Sequence, residues 1–255
     1  MAGSGRAFLE ETGWDQMAEQ GAFLVAAPDG LGQRPGLEPN VVLNPSQWDS
    51  GQPGRNRLRS RVDDLGFFDA LDADIRRRWP VDSSRVYLVG HSNGASMSFR
   101  LAAARAQRFA AIVAVAGHCW IDDPRPARPV PTLWFVGTND PLRPIHGGLT
   151  ILPWEVRRTP PLSETLVRWG RANGFDPNTP EIDRQTPGVV VRRYGPDPAA
   201  PLLELVLISG HGHAWPGHPR SVPPGARAFF GPNTATIDAT DWSWRFLRAR
   251  SLPPP

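Results

Sequence analysis

Residues Val86 to Gly94 read Val-Tyr-Leu-Val-Gly-His-Ser-Asn-Gly: an apolar run, a serine between two glycines, and at once a helix-forming stretch from Ala95. That order forces a strand to turn sharply into a helix with Ser92 at the apex. Glycine is expected at 90 and 94 because so tight a turn leaves no room for a β-carbon on either side. A helix-capping role would account for an isolated serine. In the strand–turn–helix context the hydroxyl is instead lifted clear of the sheet, which makes Ser92 a candidate nucleophile.

Around this turn, short apolar runs alternate with helical segments, the pattern of an α/β fold with a mostly parallel sheet covered by helices on both faces. Strands are expected at Ala22–Ala27, Val86–Val89, Ala111–Val115, Thr132–Val136 and Leu203–Ile208, with a peripheral one at Val189–Tyr194. Helices are expected at Arg6–Glu19, Val62–Arg78, Ala95–Gln107, Leu162–Asn173 and Ala239–Arg248. In the second of these, Val62, Leu65, Phe68, Leu71 and Ile75 form one apolar stripe at helical spacing, expected to face the sheet. Long Pro/Gly-rich connections span Asp29–Arg61, Trp120–Pro131, Pro141–Pro161 and Trp215–Asn233, and some of them are expected to build a binding surface. No repeat or compositional break divides residues 1–255, so a single domain is expected.

Charge and composition narrow the function. All 28 basic residues are arginine, but they are scattered among 25 acidic residues for a net charge of +3. The one cluster, Arg76-Arg77-Arg78, closes a helix, where positive charge suits the negative end of the dipole. Nucleic acid is therefore not an expected partner. No apolar run is long enough for a membrane span, and Met1 to Gly21 has no signal-peptide pattern. The single cysteine, Cys119, excludes an internal disulfide framework and a cysteine-based zinc site, and is expected to lie buried beside a strand end.

A serine nucleophile needs a base and an acid that orients the base, supplied in open α/β sheets from loops after later strands. Asp140 follows the apolar run Thr132–Val136, and Asp122 or Asp123 after the preceding strand is a more distant alternative. Past Leu203–Ile208 come His211 and His213, between which spacing does not choose. A His-x-His metal site with His218 lacks a matching carboxylate cluster, so no metal and no organic cofactor is expected. His91 is expected to pack beneath the elbow, and His118 and His146 to be ordinary loop residues.

The chain resembles α/β-hydrolase esterases of the polyhydroxybutyrate depolymerase and feruloyl esterase type. The resemblance runs from about Thr12 to Phe246. It is carried by Thr12-Gly13-Trp14, Ala27-Pro28-Asp29-Gly30, Val62-Asp63-Asp64-Leu65-Gly66-Phe67, Gly90-His91-Ser92-Asn93-Gly94-Ala95, Gly137-Thr138-Asn139-Asp140-Pro141 and Gly212-His213-Ala214-Trp215-Pro216-Gly217. It implies a triad of Ser92, Asp140 and His213, the histidine being the one that precedes x-Trp-Pro-Gly. The Asn93 N–H is implied as an oxyanion-hole donor. Trp48, in Gln47-Trp48-Asp49-Ser50-Gly51, resembles a Trp-Asn-x-Gly loop near the active site, and Trp48, His91 and Trp215 are the residues expected to meet substrate.

The resemblance implies a serine esterase acting through an acyl-enzyme on hydroxyalkanoate polyester oligomers or on feruloyl or acetyl esters of plant polysaccharide, in a secreted or periplasmic setting. Two other readings are a peptidase on the same fold and a near-inactive or non-catalytic esterase-derived module. Many relatives carry paired cysteines just after the Trp48 loop, where Gly51-Gln52-Pro53-Gly54 has none, so a looser loop is expected. Relatives also place an apolar strand ending in His-Gly, the source of the second oxyanion donor, ahead of the helix containing Thr-Gly-Trp. The expectation is that these N-terminal strands are missing from the chain, which opens on Met1-Ala2-Gly3-Ser4-Gly5.

Overall fold

The computed structural model describes residues 4–32, 34, 36–37, 44–53, 62–152, 155–184, 186–218, 227–234 and 237–253. Parts of the Asp29–Arg61 and Trp215–Asn233 connections lie outside the described residues. In chain order the elements are α1 (Gly5–Thr12), α2 (Trp14–Gly21), β1 (Leu31–Gly32), β2 (Ser46–Gln47), α3 (Asp64–Arg78), β3 (Tyr87–His91), α4 (Asn93–Ala104), β4 (Ala111–Val115), β5 (Thr132–Gly137) and β6 (Gly148–Leu152). They continue with β7 (Glu155–Thr159), α5 (Leu162–Asn173), β8 (Glu181–Asp183), β9 (Val189–Tyr194), β10 (Leu203–Ile208), α6 (Arg227–Phe230) and α7 (Ala239–Arg248).

The central sheet has the order β3-β4-β5-β10-β9-β8. Its first four strands run parallel, and β9 and β8 return antiparallel. Strand β9 is therefore interior, with β8 beyond it, and not peripheral as its composition suggested. Residues alternate between the two faces. Ile112, Ala114, Trp134, Val136, Leu203 and Leu205 join one core with Phe99 of α4 and Leu166 and Trp169 of α5. Val113, Val115, Leu133, Phe135, Val206 and Ile208 join another with Trp14 of α2 and Phe246 and Leu247 of α7. Burial on both faces explains why these strands read as continuous apolar runs.

Three expected elements differ. The helix expected over Arg6–Glu19 is two helices, because Gly13 takes a left-handed φ of 73° and its N–H caps α1 on the Leu9 carbonyl. The strand expected at Ala22–Ala27 belongs to no described sheet. Ala22, at φ 50°, closes α2, and the following residues border a cavity, leaving Leu24 and Val25 exposed. Apolar, β-prone residues form a strand only where a ladder partner runs alongside. The stripe of α3 is half-buried: Leu65 and Phe68 pack on Met97, Leu101 and Phe109, while Leu71 and Ile75 line the same cavity. The Pro141–Pro161 connection, in which no strand was expected, carries the antiparallel β6–β7 hairpin. Among the described residues no helix is long and apolar enough to cross a membrane.

Candidate active site

Ser92 sits between β3 and α4 with φ 55° and ψ −114°, a backbone conformation costly for a residue with a side chain. Its N–H donates to the Val115 carbonyl at 2.8 Å, which anchors the turn to β4. The expected crowding holds at Gly90, where a β-carbon would lie 2.3 Å from the Gly94 carbonyl. It does not hold at Gly94, where a β-carbon would meet nothing within 4 Å outside its own helix. The second crowded position is Gly117, past the end of β4, where a β-carbon would lie 2.5 Å from that of Ala95 and 2.8 Å from the Ser92 carbonyl oxygen. Trp134 donates its indole N–H to the Gly117 carbonyl at 3.0 Å and so tethers that glycine to β5.

The Ser92 hydroxyl donates to His213 Nε2 at 2.8 Å, and His213 Nδ1–H donates to Asp140 Oδ2 at 2.7 Å. The other carboxylate oxygen, Oδ1, accepts the main-chain N–H groups of Leu142 and Arg143 at 2.8 and 2.9 Å. Burial by itself would push the Asp140 carboxyl up. The His213 imidazole, the Arg143 guanidinium and the Leu142 N–H outweigh it and hold the carboxyl below its usual range. The carboxylate is thus ionised and fixed in orientation on both oxygens.

His213 is delivered by the turn after β10. Its N–H donates to the Phe230 carbonyl at 2.7 Å, the Gly212 N–H donates to the Pro232 carbonyl at 2.6 Å, and the Asn139 N–H reaches the His211 carbonyl at 2.8 Å. Gly137 and Gly212 permit this close approach: a β-carbon on either would lie within 2.4 Å of opposing backbone. His211 points away from Ser92. Its Nδ1 accepts the Thr234 N–H at 3.1 Å and its Nε2–H donates to the Ala214 carbonyl at 3.0 Å, so it braces the turn. Asp122 and Asp123 pair with Arg168 and Arg125 and lie outside the relay.

The remaining expected residues separate by location. Trp48 lines a cavity of about 1100 Å³ together with Ser92, His213, Phe68, Leu142 and Arg143. The Trp48 ring lies 5.0 Å from Phe68 and 5.8 Å from Phe67, forming an aromatic wall along α3. Trp215 is fully buried, donates its indole N–H to Thr240 and meets Phe8 edge-on. It is a core residue, and the expectation that it stacks on substrate is corrected. His91 borders the cavity, but its Nε2–H is engaged at 2.6 Å by the His213 carbonyl, and burial pushes its imidazole down to about 3. It supports the histidine turn and has no donor left on that nitrogen for a substrate.

Residues 48 and 49 are tied to neighbouring helices by polar contacts. Asp49 forms an ion pair with Arg100 of α4 at 2.8 Å, its N–H donates to Asp64 of α3 at 2.5 Å, and the Asn93 side chain bonds the loop backbone. Arg143 was not foreseen. It is almost fully buried, donates to Gln52 at 3.1 Å, lies over Trp120 at 5.7 Å and supports Asp140 through both its N–H and its charge. Its place three residues after Asp140 was the available signal, since an Asx turn commonly takes its N–H donors from residues two and three further on.

No family model matches the chain. It is 33% identical over 186 residues to a protein named "Putative esterase NocK" from Nocardia uniformis subsp. tsuyamanensis, covering 66% of this chain and 53% of that protein. It is 33% identical over 89 residues to feruloyl esterase C of Emericella nidulans, covering 35% of this chain and 33% of that one. The chain thus spans about half the length of the first relative and a third of the second. In structure it is similar to acetyl xylan esterase from Aspergillus awamori, with a TM-score of 0.62 and 16% identity over 96% of this chain and 85% of that one.

Proposed function

From an α/β-hydrolase fold and relatives among esterases of the feruloyl type, we propose that this chain is a serine hydrolase of carboxylic esters. The observation that carries the reading is the unbroken hydrogen-bond relay Ser92–His213–Asp140 at the wall of an apolar-lined cavity. His213 takes the Ser92 proton as Oγ attacks the ester carbonyl, and returns it to the leaving alcohol as the acyl-enzyme forms. Water then repeats the sequence on the acyl group. Asp140 keeps Nδ1 protonated, so that Nε2 faces Ser92 as the acceptor, and it stabilises the imidazolium. Asn93 opens α4, where N–H groups have no partner within the helix, and its N–H is the donor assigned to the oxyanion.

The acyl half that suits the cavity is aromatic. The Trp48–Phe68 wall offers a face on which a planar ring stacks, a contact worth about 0.5–1.5 kcal/mol beyond its burial. A feruloyl-type ester is therefore placed ahead of acetyl esters and hydroxyalkanoate oligomers. The test is active-site labelling with a fluorophosphonate, followed by hydrolysis of methyl ferulate, p-nitrophenyl acetate and hydroxybutyrate trimer. Stoichiometric labelling that vanishes in Ser92→Ala, with the feruloyl ester giving the highest kcat/KM when esters of the same leaving alcohol are compared, is the expected result. Folded protein that takes up no label defeats the reading. Labelled protein that cleaves a chromogenic peptide and none of the esters makes it a peptidase.

A further inference from the structure

We propose that the Asn93 carboxamide is a positioning residue that locks the Trp48–Ser50 loop to the nucleophile turn, so that the aromatic wall and the oxyanion-binding N–H form one rigid unit. The inference rests on the esterase reading above. The side chain uses all its main polar capacity on that loop. Oδ1 accepts the Trp48 N–H at 2.6 Å, and Nδ2 donates to the Trp48 carbonyl at 3.1 Å and to Ser50 Oγ at 3.1 Å. Only a group with one acceptor and two donors can do this; a carboxylate lacks the donors and a hydroxyl lacks the number. Ser50 is buried, with 1% of its surface exposed, so its side of the clamp is shielded from competing water.

The consequence is geometric. Asn93 carries the proposed oxyanion donor on its main chain and the clamp on its side chain, so one Cα links the two. On the far side of the loop, Asp49 is tied to Arg100 and Asp64, which holds the loop against α4 and α3. Trp48 is left with its ring against Phe67 and Phe68 and its backbone on Asn93. Loss of the carboxamide frees the wall without removing the N–H. A bulky aryl acyl group, which needs the wall, loses more than an acetyl group, which does not reach it.

The test compares wild type, Asn93→Leu, Asn93→Ala and Ser50→Ala on methyl ferulate and p-nitrophenyl acetate, with hydrogen exchange of the 46–51 backbone. In Asn93→Leu, KM for the ferulate is expected to rise about tenfold, the loss of roughly one or two buried hydrogen bonds. The loss on the ferulate is expected to exceed the loss on the acetate by at least about threefold, and the Trp48 amide to exchange at least about tenfold faster. Ser50→Ala, which deletes one of the three bonds, is expected to give a smaller shift in the same direction. Equal losses on both esters, or an unchanged Trp48 exchange rate, overturn the proposal. If both Asn93 variants fail to fold, Ser50→Ala decides by the same two measures. If wild type cleaves neither ester, the esterase reading falls, while exchange still tests the clamp.

Discussion

His91 Nε2 donates to the main-chain carbonyl of His213 at 2.6 Å, and the two imidazole rings lie 5.1 Å apart. The residue before Ser92 thus holds the backbone of the histidine whose ring meets the Ser92 hydroxyl, and the ends of β3 and β10 are joined across the site. The ring is half-buried, and its loss of hydration keeps it neutral, so it places no second positive charge beside His213 when that imidazole is protonated.

His91→Phe keeps an aromatic ring but leaves the His213 carbonyl without its donor. A loss of about 1–3 kcal/mol in urea unfolding is expected, together with a fall in kcat at little-changed KM. His91→Gln retains an N–H donor and is expected to recover most of both. Equal activity in the Phe variant and wild type contradicts the supporting role.

Asp140→Asn is predicted to lower kcat by about 10³–10⁴-fold with the fold intact. The Leu142 and Arg143 N–H groups fix an oxygen at the Oδ1 position, which turns the new NH₂ toward His213 Nδ1. That nitrogen must then accept, Nε2 carries the proton, and it cannot take one from Ser92. Steady-state kinetics with a circular-dichroism check on folding measures this; a loss below tenfold removes Asp140 from the proposed triad.

The elbow glycines should separate by substitution. Gly90→Ala and Gly117→Ala drive a methyl group into backbone and are expected to cost about 1–3 kcal/mol or more. Gly94→Ala enters open space at the start of a helix and is expected to be neutral or to stabilise by up to about 1 kcal/mol. Thermal unfolding of the three variants gives the ranking, and a Gly94→Ala as unstable as Gly90→Ala refutes it.

Stability should fall on acidification. Burial pushes His91 to about 3, and burial with the nearby Arg143 charge pushes His118 to about 3. Unfolded histidines take up protons near pH 6.5, so between about 6.5 and 3 the unfolded chain binds more protons and is favoured. Each histidine contributes up to about 1.4 kcal/mol per pH unit across that window. The lowered carboxyl of Asp140 acts in the same sense, its contribution being lost as pH drops through its folded value. Urea midpoints at pH 7, 5.5 and 4 should decline, less steeply in His118→Gln, which removes one of the groups. A flat profile excludes the buried neutral state.

Much of the site was legible locally because its signals are short-range. The elbow is one strand end and one helix start, and the Asp140 segment is a strand exit whose Asx turn lies within four residues. The β6–β7 hairpin leaves no core pattern in the sequence because Leu149, Ile151 and Val156 on its outer face are exposed rather than buried. Trp215 was misjudged because a tryptophan after a histidine reads the same whether it faces a cavity or, as here, Phe8 and Thr240 from distant helices.

The sequence by itself determined the α/β order of elements, the strand–helix turn at Ser92 and the chain order of the serine, aspartate and histidine of the relay, since periodicity and turn chemistry act between near neighbours. Local spacing left His211 and His213 equivalent, and only the likeness of Gly212-His213-Ala214-Trp215-Pro216-Gly217 to the esterase pattern favoured His213. Tertiary structure separated them by seating the turn on Phe230, Pro232 and Asn139, so that one ring reaches Ser92 and the other braces the loop. It likewise decided that Gly117 rather than Gly94 makes room for the elbow, and that Asn93, Arg100 and Asp64 hold the Trp48 loop. Apart from the local His211–Ala214 bond, these contacts join residues 15 to 121 positions apart, and packing rather than local preference selects them.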